Sequence, residues 1–286
     1  MSDLWTSVPS LVVVIGKGGV GKTLVSCALA RAAAAAGRRV LLLELDARES
    51  LHRFLGCSPS GGAVISAGDR LWAQSVRPRA VVDTLIEHRV RPRWAARRLL
   101  ASQIYEQFVA GAPGLREVAA LGHAVESGGS YDLVILDSPA SGHGVALLAA
   151  PRLLAAAIGS GPLAELAGEV DAKVADPAAS RLWAVSTVEA MALRETLELD
   201  VALESAIGRG LDQLVLNRLL PDEAVELAGE AAWQRLWRDR ARAQRGHLER
   251  LGSRWQRPVV RLPLTAAEGQ AATAELSALL AAELSP

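Results

Sequence analysis

Cysteine is scarce in this sequence. Cys27 and Cys57 are the only two among 286 residues. They form no CxxC pair and suggest no disulfide scaffold, so a reducing cytoplasm is the simplest home for the chain. Long hydrophobic runs are also missing. None reaches the roughly 18 residues that span a bilayer, and the longest candidate, ALARAAAAAG, is interrupted by Arg31. The opening MSDLWTSVPS has no basic stretch leading into an apolar one, so no secretory leader is expected. Net charge is absent too, at a formal +0, which argues against a generally basic nucleic-acid binder. The rarest charge is lysine: of 31 basic residues only Lys17, Lys22 and Lys173 are lysines.

What is present is a large apolar fraction. Half the residues are hydrophobic, enough for a substantial core. Short apolar runs recur at 11–16, 39–46, 70–76, 131–137, 181–187, 211–217 and 257–263. Runs apolar on both faces, separated by helical segments, predict a doubly wound, mainly parallel α/β sheet. No repeat of fixed period is visible. The whole chain, 1–286, reads as one domain. Two intervals exceed a simple crossover, within about 80–127 and 143–179, and both follow predicted strand C-termini, where an open α/β sheet places its ligand. They predict a small helical insertion above the site, with breaks at Pro151, Gly159, Gly161, Pro162 and Pro177. Residues 224–252 predict one charged outer helix, or two broken at Gly229.

Two of the three lysines lie in one turn. Gly16-Lys17-Gly18-Gly19-Val20-Gly21-Lys22-Thr23 fits G-x-x-x-x-G-K-[ST], after a predicted strand and ahead of a helix that continues through Leu24. Such glycines let successive N–H groups point at phosphate, and the helix N-terminus adds partial positive charge. Lys22 supplies a compact ammonium to the β- and γ-phosphates, and Thr23 a hydroxyl for Mg²⁺. Arginine is too wide and planar for that role, which accounts for the retained Lys22. The motif predicts ATP and Mg²⁺ as ligands.

Lys17 needs a second explanation. The turn resembles the deviant Walker A, K-G-G-x-G-K-[ST], of the MinD/ParA/ArsA class, in which this lysine reaches the nucleotide of a partner subunit. YDLVILDSPASGHGVALL at 131–148 is similar to the switch II of the ArsA family and the related tail-anchored-protein targeting ATPases. The resemblance implies a P-loop ATPase. It implies that Asp137 holds Mg²⁺ through water and that Ser138, Pro139, Gly142 and His143 belong to the γ-phosphate sensor. LVLNRLLPD at 214–222 and VVRLPLTAAEGQ at 259–270 resemble further family segments, placing Asn217 and Pro263 at the nucleotide. Where the family carries D-P-A-H after strand two, this chain has LELDARES. Asp46 is retained and would orient the attacking water, with Lys17 and Lys22 as its catalytic companions. The arsenite-binding cysteine cluster of the pumps and the zinc CxxC of the eukaryotic targeting factors are both missing, so no zinc is expected. With one P-loop, the chain must pair with a copy of itself or a paralogue to form a nucleotide-sandwich dimer. Its pattern is most similar to a bacterial single-domain subfamily.

Two readings of the task follow. One is a dimeric switch coupling ATP hydrolysis to a membrane protein or anion exporter, held at the membrane by that partner alone. The alternative is an ATP-gated chaperone for hydrophobic, tail-anchored-like clients. Two methionines and a short insertion weigh against the second. A MinD/ParA-like positioning role is disfavoured by the acidic C-terminal segment ATAELSALLAAELSP. The arginines of RVRPRWAARR at 89–98 read as a solvated helix face rather than a nucleic-acid site. Trp72, Trp183, Trp233, Trp237 and Trp255 read as packing residues.

Overall fold

A computed structural model describes residues 9–45, 49–112, 114–139, 144–229 and 231–284. All seven apolar runs are strands, and an eighth lies beside them. They are β1 (Leu11–Ile15), β2 (Val40–Glu44), β3 (Ile65–Gly68), β4 (Leu71–Ser75), β5 (Leu133–Asp137), β6 (Ser180–Thr187), β7 (Gln213–Leu219) and β8 (Val259–Pro263). They form one sheet in the order β3-β4-β2-β5-β1-β6-β7-β8. Every pairing is parallel except β3 with β4. The strand β3 escaped the sequence pattern because it is a four-residue edge strand with a register shift at Ser66–Gly68, too short for an alternation to register.

The central strands are buried on both faces, which is why they read as continuous apolar runs. One face packs against α1 (Lys22–Ala35) and α11 (Gly269–Leu284), joining Val12, Val14, Leu42 and Ile135 to Leu29, Leu276 and Leu280. The other face packs Val13, Ile15, Leu43 and Leu136 under α6 (Leu115–Ser127), α7 (Gly144–Ile158), α8 (Pro162–Ala175) and α9 (Ala190–Ile207). The short α2 (Leu51–Leu55) follows β2. Three more helices, α3 (Pro78–Arg89), α4 (Arg93–Leu100) and α5 (Gln103–Gly111), extend the second layer. Val82, Tyr105, Val109, Val118 and Leu154 make a separate apolar cluster there.

Three expectations change. Pro151 does not break a helix: α7 runs through it. A proline inside a helix costs about 3 kcal/mol, and burial of Leu147, Leu148 and Leu154 from the same helix outweighs that. The 224–252 segment is a 3₁₀ turn at Asp222–Glu226 followed by one helix, α10 (Ala232–Gly252), which begins after Gly229 rather than spanning it. The tryptophans divide. Trp183 and Trp255 are buried and Trp72 packs on Tyr131, but Trp233 is 59% and Trp237 38% exposed, so these two are not core residues. Among the described residues no helix is long and apolar enough to cross a membrane.

Candidate functional site

The loop Gly16–Gly21 joins the end of β1 to the start of α1 at the centre of the sheet. Its glycines are required by contact as well as by dihedral angle. Gly16 has φ +147°, and a Cβ there would lie 2.3 Å from the Val185 carbonyl oxygen of β6. Gly21, the N-cap of α1, has φ +95°, and its Cβ would lie 2.3 Å from Asn217 Nδ2. No side chain caps α1, and its first turn holds no acid and begins with Lys22. A cation at the positive end of a helix opposes the macrodipole, so this terminus is built to receive an anion.

Lys22 is 5% exposed, and its Nζ donates to the Lys17 carbonyl at 2.9 Å. Thr23 Oγ1 donates to Asp137 Oδ2 at 2.7 Å, and Ser26 Oγ donates to Asp137 Oδ1 at 2.9 Å. Asp137 ends β5 and is in register with Val14 of β1 and Glu44 of β2, so strand ends set its position. Burial pushes its pKa up to about 7, against the pull of the Thr23 and Ser26 hydroxyls and of Lys22. A cation would relieve that cost. The Thr23 hydroxyl beside the buried Asp137 carboxylate suits a hard, oxygen-seeking ion such as Mg²⁺.

Lys17 projects from the loop, about half exposed, and its Nζ pairs with Glu195 Oε1 of α9 at 2.6 Å. Val20 and Leu24 pack on the α1 face of the core. Asn217 is buried, donates from Nδ2 to the Val20 carbonyl at 2.9 Å, and accepts the Arg218 N–H at 3.0 Å. Its amide therefore buttresses the Gly16–Gly21 loop. Pro263 ends β8 opposite Leu219, two residues beyond Asn217. Ser138 is buried, its N–H donating to the Val14 carbonyl at 3.1 Å, and Pro139 follows it. The candidates Asp46, Gly142 and His143 lie outside the described residues.

Glu44 was not singled out from the sequence, and it is fully buried. Its carboxylate accepts the Ser50 N–H at 2.9 Å, the Leu51 N–H at 3.4 Å, the Ser75 hydroxyl at 3.2 Å and the Ser50 hydroxyl. It thereby ties together both ends of the segment that contains Asp46. The only signal was an acid closing an otherwise apolar strand, LLLE. Cys27 is wholly buried, with burial raising its pKa, and Cys57 is half-buried. Among the described residues no group of three or more His, Cys, Asp or Glu could hold a metal ion.

Residues 10–161 match the family model of the anion-transporting ATPases, ArsA. That match covers more than half of the chain. The chain belongs to the ArsA ATPase family. It is 29% identical to an arsenical pump-driving ATPase of Escherichia coli over 267 residues, covering 80% of this chain and 43% of that protein. It is 27% identical to the ATPase BagA of Mycobacterium tuberculosis over 224 residues, 73% of this chain and 64% of that one. An ASNA1 homologue of Cryptosporidium parvum is 29% identical over 143 residues, 49% of this chain and 37% of its own. The chain thus spans less than two thirds of the length of each. As a member of this family it has the α/β sheet and the glycine-rich loop described above.

Proposed function

We propose that this ArsA-family protein is a Mg²⁺-dependent ATP hydrolase that closes as a nucleotide-sandwich dimer and passes its nucleotide state to a membrane or client protein. The observation that carries the reading is the convergence of Lys22, Thr23 and Asp137 at an uncapped helix N-terminus. ATP would place its phosphates against the α1 N-terminus and Lys22. Thr23 and, through water, Asp137 would hold Mg²⁺, which when bound neutralises charge on the β- and γ-phosphate oxygens. Lys22 would release the Lys17 carbonyl and turn to the phosphates. Asp46 would orient the attacking water. Lys17, about half exposed and paired with Glu195 at the surface, would exchange that ion pair for the phosphates of a second copy.

The space between the site and the helical layer supports such coupling. A cavity of about 680 Å³ lies between them, lined by Leu45 and Glu49 on one side, Ser138 and Pro139 below, and Val82 and Val109 of the helices. Movement of either strand-end segment would alter its walls. The relatives' printed name, arsenical pump-driving, supports a membrane transporter as the partner.

The test is the solution mass of an Asp46→Asn variant. It should double with Mg²⁺ and ATP and stay monomeric with Mg²⁺ and ADP. A monomer in both, with ATP bound, contradicts the dimeric reading.

A further inference from the structure

Helix α4 packs chiefly on its chain neighbours α3 and α5. Its inward side is small. Ala96 is buried, and Leu100, four residues on, joins the apolar cluster around Tyr105. The opposite side carries Trp94 and Arg98, also four apart, so helical spacing sends both outward. Trp94 is 67% exposed, more than any other described tryptophan, and Leu99 at the flank is 39% exposed. The helix thus spends its aromatic residue on the surface and an alanine on the core.

The same surface is strongly cationic. Arg91, Arg93, Arg97 and Arg98 are all exposed. None of their guanidinium groups has an ion pair or hydrogen bond with a described residue. Two nearby acids, Asp83 and Glu106, are committed to Arg79. Glu87 lines a hollow of about 120 Å³ with Arg93 and Arg97 but pairs with neither. The occupant must therefore offer negative charge and an apolar layer together. Single-stranded nucleic acid asks for a basic groove that tracks its backbone, and the hollow beside α4 sets an acid where phosphate would lie. An anionic bilayer supplies both requirements. Its headgroups meet the guanidinium groups, and its headgroup boundary is where tryptophan settles. The arginine stems are long enough to lie along that boundary with their charges in the headgroups.

We infer that Arg91 and α4 form a contact for an anionic phospholipid surface, with Trp94 and Leu99 entering the headgroup boundary. A single helix of eight residues makes such a contact weak and reversible. The chain makes it directly, without a protein partner, and it does not depend on the dimeric reading above.

The test is sedimentation of the full-length chain with vesicles of phosphatidylglycerol or of phosphatidylcholine. Wild type should bind the first and not the second, and added salt should weaken binding. Each arginine at an anionic surface contributes roughly fivefold. Arg97→Gln with Arg98→Gln should therefore weaken binding by roughly 25-fold. Arg97→Lys with Arg98→Lys should retain binding, because a bilayer reads charge rather than the planar fork. Trp94→Ser should weaken binding and Trp94→Phe should recover part of it. Melting temperature and basal ATP turnover should stay at the wild-type values in all four variants. Wild type that ignores phosphatidylglycerol, or variants that bind it as wild type does, would overturn the inference. Binding to single-stranded DNA that the Gln and Ser variants lose, without vesicle binding, would assign the surface to nucleic acid and also overturn it.

Discussion

Asp137 occupies a place that disfavours its own charge, and that conflict has measurable consequences. Its folded-state pKa of about 7 lies above the ordinary 3.8. The folded chain therefore keeps a proton on Asp137 that the unfolded chain loses, so this group's contribution to nucleotide-free stability should be greatest below about pH 4, fall as pH rises to about 7, and level off above that. Asp137→Asn should remove this slope, melt higher than wild type at pH 8, and lose Mg²⁺-dependent turnover; equal melting curves across the pH range would contradict the burial argument. Glu44 offers a second residue-scale test. Glu44→Ala strands the Ser50 and Leu51 N–H groups and loosens the segment carrying Asp46. Turnover should drop roughly tenfold or more with ATP affinity within a few-fold, and parallel losses of both would show a general unfolding instead. The two carboxylates differ in how visible they were. Asp137 closes a strand inside a quotable motif. Glu44 owes its position to Ser50 and Ser75, and no local pattern links it to either.

Among elements, the connection from β1 to α1 is the most constrained. It must turn sharply while lying against β6 and β7. Gly16→Ala would drive a Cβ into the Val185 carbonyl, whereas Gly19, at φ +84°, has nothing within 4 Å of its Cβ position. Gly19→Ala should cost about 1 kcal/mol, the price of a left-handed backbone alone. Gly16→Ala should cost more than twice that and abolish ATP binding, and thermal melts with nucleotide titration would show whether the order holds. Five of the seven parallel strands were legible because burial on both faces leaves a continuous apolar signature; β4 and β8 alternate in burial and were legible as short apolar runs. The strand β3 and the unbroken α7 were not, since one depends on a hairpin partner and the other on packing that overrides Pro151. The exposed Trp233 and Trp237 of α10 were misjudged for a related reason. A tryptophan at helical spacing looks the same whether or not the body extends far enough to cover it.

At the scale of the whole molecule, the proposed dimer makes one ArsA-family chain half of an active unit. Lys17 should then contribute to turnover rather than to its own nucleotide's affinity. Lys17→Ala should bind ATP within a few-fold of wild type yet lose most hydrolysis, because its charge would act on the transition state across the dimer. Equal losses would place Lys17 within its own site. The most direct measurement is phosphate release from ATP by the purified chain, with and without Mg²⁺, beside the Asp46→Asn variant. The account predicts release that requires Mg²⁺ and slows by roughly 10²- to 10⁴-fold in the variant while ATP remains bound. Release that ignores Mg²⁺, or an Asp46→Asn rate equal to wild type, would contradict it.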